Sequence, residues 1–437
     1  GAAANMDLSQ WTQQWLYEAG LNTIQAQYTC NDDQLQSLSI LQKAPKEWPT
    51  LRQQRIQIGL YRKQDNGMSL TQSLPVTYSG ELTQVNIEGR SFACPDLIYP
   101  NLDDWAYVKV LFDARSLVTL KENINGFSSS ALRLMLWQNL WDGVRDIDIA
   151  LTDYVDFVIA NISAENDDKV LLQVSDSLVS AYRFLTSITS SDFDLSNSDK
   201  TNNIKSAIEA FSWQQLQRAT PASDGQKIWF NTMLAVTHSD EGVARLLKLL
   251  DGETVLPSLA IDQDMRWQLI VKLNQYQHPG HKALVEKEKT LDNSDLGVKM
   301  SIVAEVIRPD AIIKQHWLNI IMETPELQAK GEPTIKLSTL RLAMASMFPA
   351  EQLALMTPHV EKLLAVVPQL SNSADQGYLR AYARYMAPAQ CSMASIQRLE
   401  QANQQFQALN PAVSKAYLIA EQEDSRCVDI ASLIEPD

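Results

Sequence analysis

The chain has 437 residues, more than one hydrophobic core normally organises, so we expect two or three domains. Its 52 acidic and 37 basic residues give a formal charge of −15, which argues against nucleic acid or an anionic membrane surface as a partner. No run approaches the ~18 apolar residues that predict a transmembrane helix, and no signal peptide is visible.

The first predicted element is one helix from Asp7 to Gly20. Leu8, Trp11 and Trp15 have the i, i+3, i+7 spacing of a single apolar helix face. Asp7 suits the N-cap, and Gly20 suits the position that follows the helix. Because a lone helix of this length is marginal in water, we expect its two tryptophans to pack on another part of the protein.

From residue 21 to about residue 113, the apolar pattern has the period of two that is typical of strands. Turn residues separate the predicted strands, and Asp65-Asn66-Gly67 is the strongest hairpin signal in the chain. The strand-length runs are IQAQYTC, QSLSILQK, RIQIGLYR, LPVTYSG, LTQVNIEG and YVKVLF. Short strands at this spacing predict a small antiparallel β-sandwich.

From Leu117 onward the pattern is helical to the end of the chain. In the predicted helix 131–144 the apolar residues cover a wide arc, which indicates burial between neighbouring helices. The polar stretch 191–203 is predicted to be a loop. Short helix–turn–helix units in a row predict a large α-helical solenoid, a HEAT/armadillo-like superhelix. The predicted fold class is therefore multidomain and mainly α, with the β-sandwich first.

The four cysteines, Cys30, Cys94, Cys391 and Cys427, are few and scattered, and none forms a Cys-x-x-Cys pair. This pattern does not resemble a disulfide framework, so we expect free thiols. The alternative is a bridge between Cys30 and Cys94. So few cysteines favour a cytoplasmic location, with the periplasm or cell envelope as the alternative.

No catalytic constellation is visible among the residues. None of the five histidines lies in the His-Glu-x-x-His pattern of a zinc-binding helix. His278 and His281 are three residues apart, but the Pro-Gly pair between them predicts a turn. No nucleophile elbow or glycine-rich phosphate loop is present. A Ser-His-Asp triad requires only spatial proximity, so that alternative stays open, although no motif supports it.

The charged clusters have a functional and a structural interpretation. Asp103-Asp104 and the acidic stretch 165–168 could bind a hard cation, but turns or helix N-termini, where carboxylates are favourable, are the favoured placement. The pair Arg145-Asp146 could bind or act on a substrate. We favour a structural salt bridge at a helix end.

One stretch carries a family resemblance. PDLIYPNLDDWAYVKVLFDARSL resembles the signature of the aminopeptidase N-type zinc metallopeptidases, the gluzincin aminopeptidases. Leu102 departs from this signature, because an acidic residue is usual there. The matching positions are Pro95, Asp96, Leu97, Asn101, Asp104, Tyr107, Lys109, Asp113, Arg115 and Ser116. Three further blocks follow the family's order within residues 7–165: DLSQWTQQWLYEAGLNTI, RQQRIQIGLY and SSALRLMLWQNLWDGVRDIDIALTDYVDFV.

The resemblance implies the C-terminal half of such an enzyme. Residues 1–20 would be a terminal helix left from an upstream catalytic domain, 21–115 the β-sandwich domain and 116–437 an α-helical cap domain. The chain opens without an initiator methionine, and we expect it to be cut from a longer protein. The zinc site would then lie upstream, so we expect no catalytic or metal residue and no cofactor here, with zinc in the parent protein.

The function implied by the resemblance belongs to the parent. The parent would remove N-terminal residues from peptides, while the helical domain caps the active site and restricts access. The expected partners are the upstream catalytic domain of the same polypeptide and, in the parent, peptides. The chain alone is expected to be inactive. The alternative is a stand-alone sandwich and α-solenoid scaffold that binds protein partners.

Some residues are expected to fix the geometry between domains rather than to react. Asn101 and Asp104 are predicted to cap turns, and Asp113 with Arg115 to brace the first helix. The full set is Trp11, Trp15, Asn101, Asp104, Tyr107, Asp113, Arg115, Arg145 and Asp146.

Overall fold

A computed structural model describes residues 7–188 and 199–434. By internal contacts the chain forms two compact units, Gly1–Ile149 with Asp156–Val174, and Ala150–Val155 with Ser175–Asp437. The described chain is mainly helical, and its strands lie between residues 23 and 111. This confirms a mainly α protein with a small β region near its start. No helix of the described residues is long and apolar enough to cross a membrane.

The first unit begins with a short helix, α1 (Ser9–Thr12), followed by the π-helical turn Gln13–Tyr17. The helix predicted from Asp7 to Gly20 is therefore shorter in the structure, and its hydrogen bonds change from the α-helical to the π-helical pattern after Thr12. The ring centroids of Trp11 and Trp15 lie 6.5 Å apart, and Trp11 is 51% exposed. The predicted apolar face thus exists, but part of it faces solvent.

Two sheets follow in the first unit. Their strands are β1 (Thr23–Asn31), β2 (Gln34–Lys43), β3 (Gln54–Gln64), β4 (Gly67–Tyr78), β5 (Leu82–Gln84), β6 (Leu97–Tyr99) and β7 (Lys109–Leu111). One sheet has the order β5-β2-β1-β7 and the other β4-β3-β6. All pairs are antiparallel except β1 with β7. Strand β6 was not predicted, because three residues are too few to show an alternating pattern.

The strongest predicted hairpin is confirmed. Gln64 at the end of β3 pairs with Gly67 at the start of β4, so Asp65 and Asn66 form the loop. Gly67 has φ +115°, a backbone conformation that glycine adopts without the steric cost of a Cβ. The turn chemistry of this tripeptide therefore fixes the register of the hairpin.

The regular secondary structure in the rest of the described chain is helical. The remaining helices are α2 (Ala114–Asn123), α3 (Ser130–Arg145), α4 (Leu151–Asn161), α5 (Asp168–Ser187), α6 (Asp199–Arg218), α7 (Asp224–Val236), α8 (Asp240–Leu250), α9 (Gln263–Gln275), α10 (His281–Leu291), α11 (Asp295–Val306), α12 (Ala311–Ala329), α13 (Leu337–Ser346), α14 (Leu353–Met356), α15 (Val360–Ala365), α16 (Val367–Ser373), α17 (Gln376–Tyr385), α18 (Met393–Phe406) and α19 (Pro411–Ser432). Residues 199–203 of the predicted loop 191–203 belong to α6, which corrects that part of the prediction. Residues 191–198 lie outside the described residues.

Within the second unit, five helices pack one against the next in a series. Helix α9 contacts α11, α11 contacts α13, α13 contacts α17, and α17 contacts α19. Their shared core includes two buried tyrosines that are also hydrogen-bonded. Tyr378 donates to the carbonyl of Ile321, and Tyr382 donates to the carbonyl of Leu363 at 2.9 Å. Both of these buried hydroxyls therefore have the partner that burial requires.

The prediction of free thiols is wrong. Cys30 is bonded to Cys94, and Cys391 to Cys427, with S–S distances of 2.11 and 2.00 Å. The first bridge is the alternative that the sequence left open. The second joins residues separated by 36 positions, which meet only because α18 and α19 pack side by side. No spacing motif marks a pair formed by tertiary packing.

Candidate functional site

Asn101 closes a tight turn between β6 and β7. Its side-chain amide donates to Asp104 Oδ1 at 3.2 Å and to the carbonyl of Ala106 at 3.0 Å, while its Oδ1 accepts from the Ala106 N–H at 3.0 Å. Tyr107 lies beside this turn with a ring that is 70% exposed, and its backbone N–H donates to Gln54 Oε1 at 3.1 Å. Asn101 therefore shapes the backbone of this turn, because its side-chain amide bonds to the turn itself.

Asp113 and Arg115 fix helix α2 to the β region through different partners. Asp113 is the N-cap of α2 and accepts from the backbone N–H of Ser116 at 3.0 Å and from its hydroxyl at 2.5 Å. The same hydroxyl accepts from the backbone N–H of Ile98 in β6 at 3.2 Å. Arg115 forms a salt bridge with Asp96 at 2.9 Å. The helix start is therefore tied directly to strand β6.

The end of helix α3 is held against strand β7. Lys109 in β7 donates to both carboxylate oxygens of Asp146, at 2.7 and 2.6 Å, and Arg145 is half-buried beside it. Asn139 Oδ1, in the middle of α3, accepts from the backbone N–H of Val110 at 3.1 Å. The predicted Arg145-Asp146 pair thus lies at a structural salt bridge, in which Lys109 is the partner of Asp146.

Arg52 is a residue that sequence reasoning missed. Its side chain is almost fully buried and donates to the carbonyls of Gln14 at 2.9 Å, Glu18 at 2.9 Å and Ala19 at 3.0 Å. The guanidinium also lies 5.3 Å from the centroid of the Trp15 ring. One cation therefore satisfies the carbonyls left at the end of the first helical segment. No local pattern distinguishes this arginine from its neighbours in the sequence.

The acidic stretch that starts at Glu165 is also structural. Arg133 donates from Nε to Glu165 Oε2 at 2.6 Å and from a terminal nitrogen to Oε1 at 2.8 Å. Burial opposes ionisation of Glu165, but hydrogen bonds from Arg133 and from the N–H groups of Asp167 and Asn166 outweigh it and lower the pKa of this carboxyl. The glutamate therefore stays charged as half of a buried ion pair.

The described residues do not fit a zinc site. Across 7–188 and 199–434, no group of three or more His, Cys, Asp or Glu side chains is placed to hold a metal ion. His278 and His281 flank a turn in which Gly280 has φ +84°, as their spacing predicts. The Nδ1 atom of His281 lies 3.0 Å from the carbonyl of His278, so its ring is held by the backbone.

The best candidate for a binding site is a cavity of about 680 Å³ in the second unit, which we call the Glu351 cavity. Helices α5, α7, α9, α11, α13 and α17 and the segment before α14 form its walls. The lining residues are Tyr182, Arg183, Asn231, Leu234, Ala235, Gln268, Val271, Lys272, Gln275, Met300, Ala345, Pro349, Ala350, Glu351 and Tyr385. This volume is in the range of about 300–1,000 Å³ that is typical of small-ligand sites.

Glu351 is the anchor of the cavity wall. It lies in the single 3₁₀ turn Ala350–Gln352, and its carboxylate accepts from the Tyr182 hydroxyl at 3.2 Å, the Tyr276 hydroxyl at 3.2 Å and Gln275 Nε2 at 2.9 Å. Burial and the nearby carboxylate raise the pKa of both tyrosines. The two phenols therefore remain protonated hydrogen-bond donors.

Two cations face the same cavity. Lys272 is only 7% exposed. Its Nζ donates to the carbonyl of Ala235 at 3.1 Å. Burial lowers the pKa of Lys272, although the charges of Glu351 and Glu209 oppose that shift. Arg183 is exposed at the cavity wall. Because its guanidinium has a fixed charge, the cavity lining contains both a cation and the Glu351 carboxylate.

A histidine and a carboxylate are in contact next to Tyr182. The Tyr182 and His238 rings are 5.6 Å apart, and His238 Nδ1 lies 3.0 Å from Glu209 Oε2. Burial opposes ionisation of Glu209, yet hydrogen bonds from His238 and Ser239 outweigh burial and lower its pKa. A Cβ built at Gly242 would lie 1.7 Å from Glu209 Oε1. The absence of a side chain at Gly242 therefore makes room for this carboxylate.

Residues 97–419 match the family described as the ERAP1-like C-terminal domain. The chain belongs to this family. A relative called "Aminopeptidase N", from Streptomyces lividans, is 28% identical over 331 residues, which cover 74% of this chain and 37% of the relative. The chain thus spans little more than a third of that relative's length. These findings confirm the C-terminal aminopeptidase N-type domain that the signature predicted, and the family match starts at β6, within that signature.

Proposed function

We propose that this ERAP1-like C-terminal domain chain is the non-catalytic C-terminal region of a zinc aminopeptidase that removes N-terminal residues from peptides. The observation that carries the proposal is the family match, together with a relative named as an aminopeptidase that is much longer than this chain. The donor groups in the described residues do not suit zinc, so the proposed zinc site lies in another part of the parent polypeptide.

The proposed role of the helical part is to cap the active site of the parent and restrict which substrates reach it. Excluding bulk water and folded proteins would raise specificity. The Glu351 cavity supports this proposal, because it is a concave space lined with polar groups in the helical unit. The proposed division is a terminal helix at 1–20, a β-sandwich at 21–115 and a superhelical cap at 116–437. The serial packing of α9, α11, α13, α17 and α19 supports the superhelix.

The proposed partner is the catalytic domain of the same polypeptide. Apolar side chains near the start of the described chain support this proposal, because large exposed apolar groups commonly mark a contact surface. Leu16 is 66% exposed, Tyr17 74%, Trp11 51% and Trp48 47%. A preceding domain that packs on these side chains would remove them from water.

We further propose an oxidising compartment, the periplasm or cell envelope, in place of the cytoplasm favoured from cysteine count. The two disulfide bonds support this location, because structural disulfides persist in oxidising compartments and are rare in the cytosol of mesophiles. Trapping free thiols in freshly lysed cells tests the proposal. Full oxidation of all four cysteines is expected, and complete alkylation without a reductant would contradict it.

The parent gene and a truncation test the proposed function. The reading frame upstream of this chain is expected to encode a His-Glu-x-x-His helix. Removing residues 175–437 from the parent is expected to increase attack on long or folded substrates relative to short peptides, if the truncated enzyme folds. A full-length gene that begins near residue 1 would instead favour the scaffold alternative.

A further inference from the structure

The Glu351 cavity contains acceptor atoms that can accept further hydrogen bonds. Glu351 Oε2 accepts one hydrogen bond, from Gln275, and an ionised carboxylate offers about four lone-pair sites in total. Gln268, on α9, also lines the cavity, and its Oε1 is buried and has no partner among the described residues. A buried acceptor without a donor is unfavourable, so a ligand that donates hydrogen bonds here would be stabilised.

The cavity also contains N–H groups that can donate further hydrogen bonds. The Lys272 ammonium carries three N–H donors, and one of them reaches the carbonyl of Ala235. Arg183 forms no hydrogen bond or ion pair within the described residues, although its guanidinium has five N–H groups. Such groups suit a carboxylate, because charge-assisted hydrogen bonds are stronger than neutral ones.

Apolar side chains also line the cavity. Leu234, Val271, Met300 and Pro349 line the cavity, and such residues suit an aliphatic side chain. The cavity therefore offers an acceptor region, a cationic region and an apolar wall. Tyr182 and Gln275 both donate to Glu351, and Arg183 directly follows Tyr182 while Lys272 lies one turn of α9 before Gln275. The acceptor and cationic groups are therefore neighbours, and the matching ligand carries an ammonium and a carboxylate close together, next to an apolar side chain.

We propose that the Glu351 cavity binds a free apolar α-amino acid, with its ammonium at Glu351 and Gln268 and its carboxylate at Arg183 and Lys272. The idea rests on the proposed function, since a free amino acid is what an aminopeptidase releases. The cavity is then a second, product-binding site in the non-catalytic region. A longer peptide carries its two charges further apart, so it satisfies only one of the two polar regions.

Isothermal titration calorimetry of the 437-residue chain with L-leucine tests the proposal without any catalysis. L-leucine is expected to bind, while N-acetyl-L-leucine and L-leucinamide, which each lack one charge, are expected to bind at least about tenfold more weakly, because each leaves one polar region unpaired. Leu-Leu-Leu-Leu separates the charges and is also expected to bind more weakly. Equal binding of either blocked analogue, or tighter binding of the tetrapeptide, would overturn the proposal.

Three variants assign the contacts. Arg183→Gln changes an exposed side chain, so the fold is retained, and L-leucine affinity is expected to fall by about tenfold or more. Lys272→Met keeps the apolar stem and tests the buried ammonium. Arg218→Gln, an exposed change away from the cavity, is the matched control and should leave affinity unchanged.

Absence of L-leucine binding to the unaltered chain would overturn the proposal, as would unchanged affinity in both cavity variants. Neither result depends on the activity of the parent. Failure of product binding is therefore distinguishable from failure of the proposed function.

Discussion

The buried pair of Arg133 and Glu165 offers a sharp test of the packing in the first unit. The Glu165 side chain is 1% exposed and the Arg133 side chain 11%. In Glu165→Gln, the amide oxygen can still accept from the backbone N–H groups that Glu165 now binds at 2.9 Å. The amide nitrogen, however, would face the Arg133 donor that now lies 2.6 Å from Oε2. The substitution therefore removes the counter-charge without creating a cavity.

Removing one partner of a buried ion pair typically costs about 3–5 kcal/mol, because the other charge stays buried without compensation. Arg133 also donates to the carbonyl of Phe127 at 2.7 Å, so we expect the lower end, about 3 kcal/mol. The double variant Arg133→Leu with Glu165→Leu should lose less than the single one, because apolar residues of similar size can replace a buried pair.

Hydrogen exchange measured by mass spectrometry over helix α3 is the suitable assay. The chain has two compact units, so global unfolding need not be two-state, whereas local opening is resolved by segment. Glu286→Gln on α10 is the matched control, because its partner Lys289 and Glu286 itself are largely exposed. Unchanged protection of α3 in Glu165→Gln would refute the reasoning.

The same carboxyl predicts a pH dependence. Its pKa in the folded chain is lowered, so its stabilising contribution is present above the unfolded pKa of about 4.3 and is lost as pH falls through the folded pKa. Acid unfolding of the unaltered chain should therefore be steeper below about pH 4.3 than that of Glu165→Gln.

Three further changes have expected outcomes. Asp113→Ala should reduce the protection of helix α2 by about 1 kcal/mol through loss of its N-cap, and unchanged exchange would count against the capping role. Replacing Cys391 and Cys427 together by serine should lower stability by about 3–4 kcal/mol, since the bridge closes a long loop. Thermal melting of the variant and of the unaltered chain, both without a reductant, measures this, and equal midpoints would contradict it. Gly242→Ala should lower the stability of the chain by about 1–3 kcal/mol, because the new Cβ would meet Glu209. Alanine has the better helix propensity, so a higher melting temperature of the variant would show that this gain outweighs the clash.

Local chemistry explains what the sequence could predict. Asp65-Asn66-Gly67 marks a turn through its own backbone preferences, and the hairpin has that register. Alternating apolar residues likewise identified β1, β2 and β3, because each strand is long enough to show its period. Asp113 caps α2 by accepting a hydrogen bond from the N–H of Ser116, three residues further along the chain. A contact between residues this close in sequence can be recognised from the sequence alone.

What the sequence did not reveal depends on tertiary packing. Arg52 lies more than thirty positions from the carbonyls it binds. Glu351 meets Tyr182 across a separation of 169 residues, and nothing in the local Ala-Glu-Gln sequence distinguishes it. The Cys391–Cys427 bridge was missed for the same reason. The candidate cavity could thus be found only after the helices were placed.

The central claim is that this chain is the non-catalytic part of a zinc aminopeptidase. The most direct measurement is hydrolysis of an aminoacyl-anilide, with zinc added, by this chain and by the full parent polypeptide. We expect no turnover by the chain and turnover by the parent that a chelator abolishes. Turnover by the chain alone, or an inactive parent, would contradict the claim.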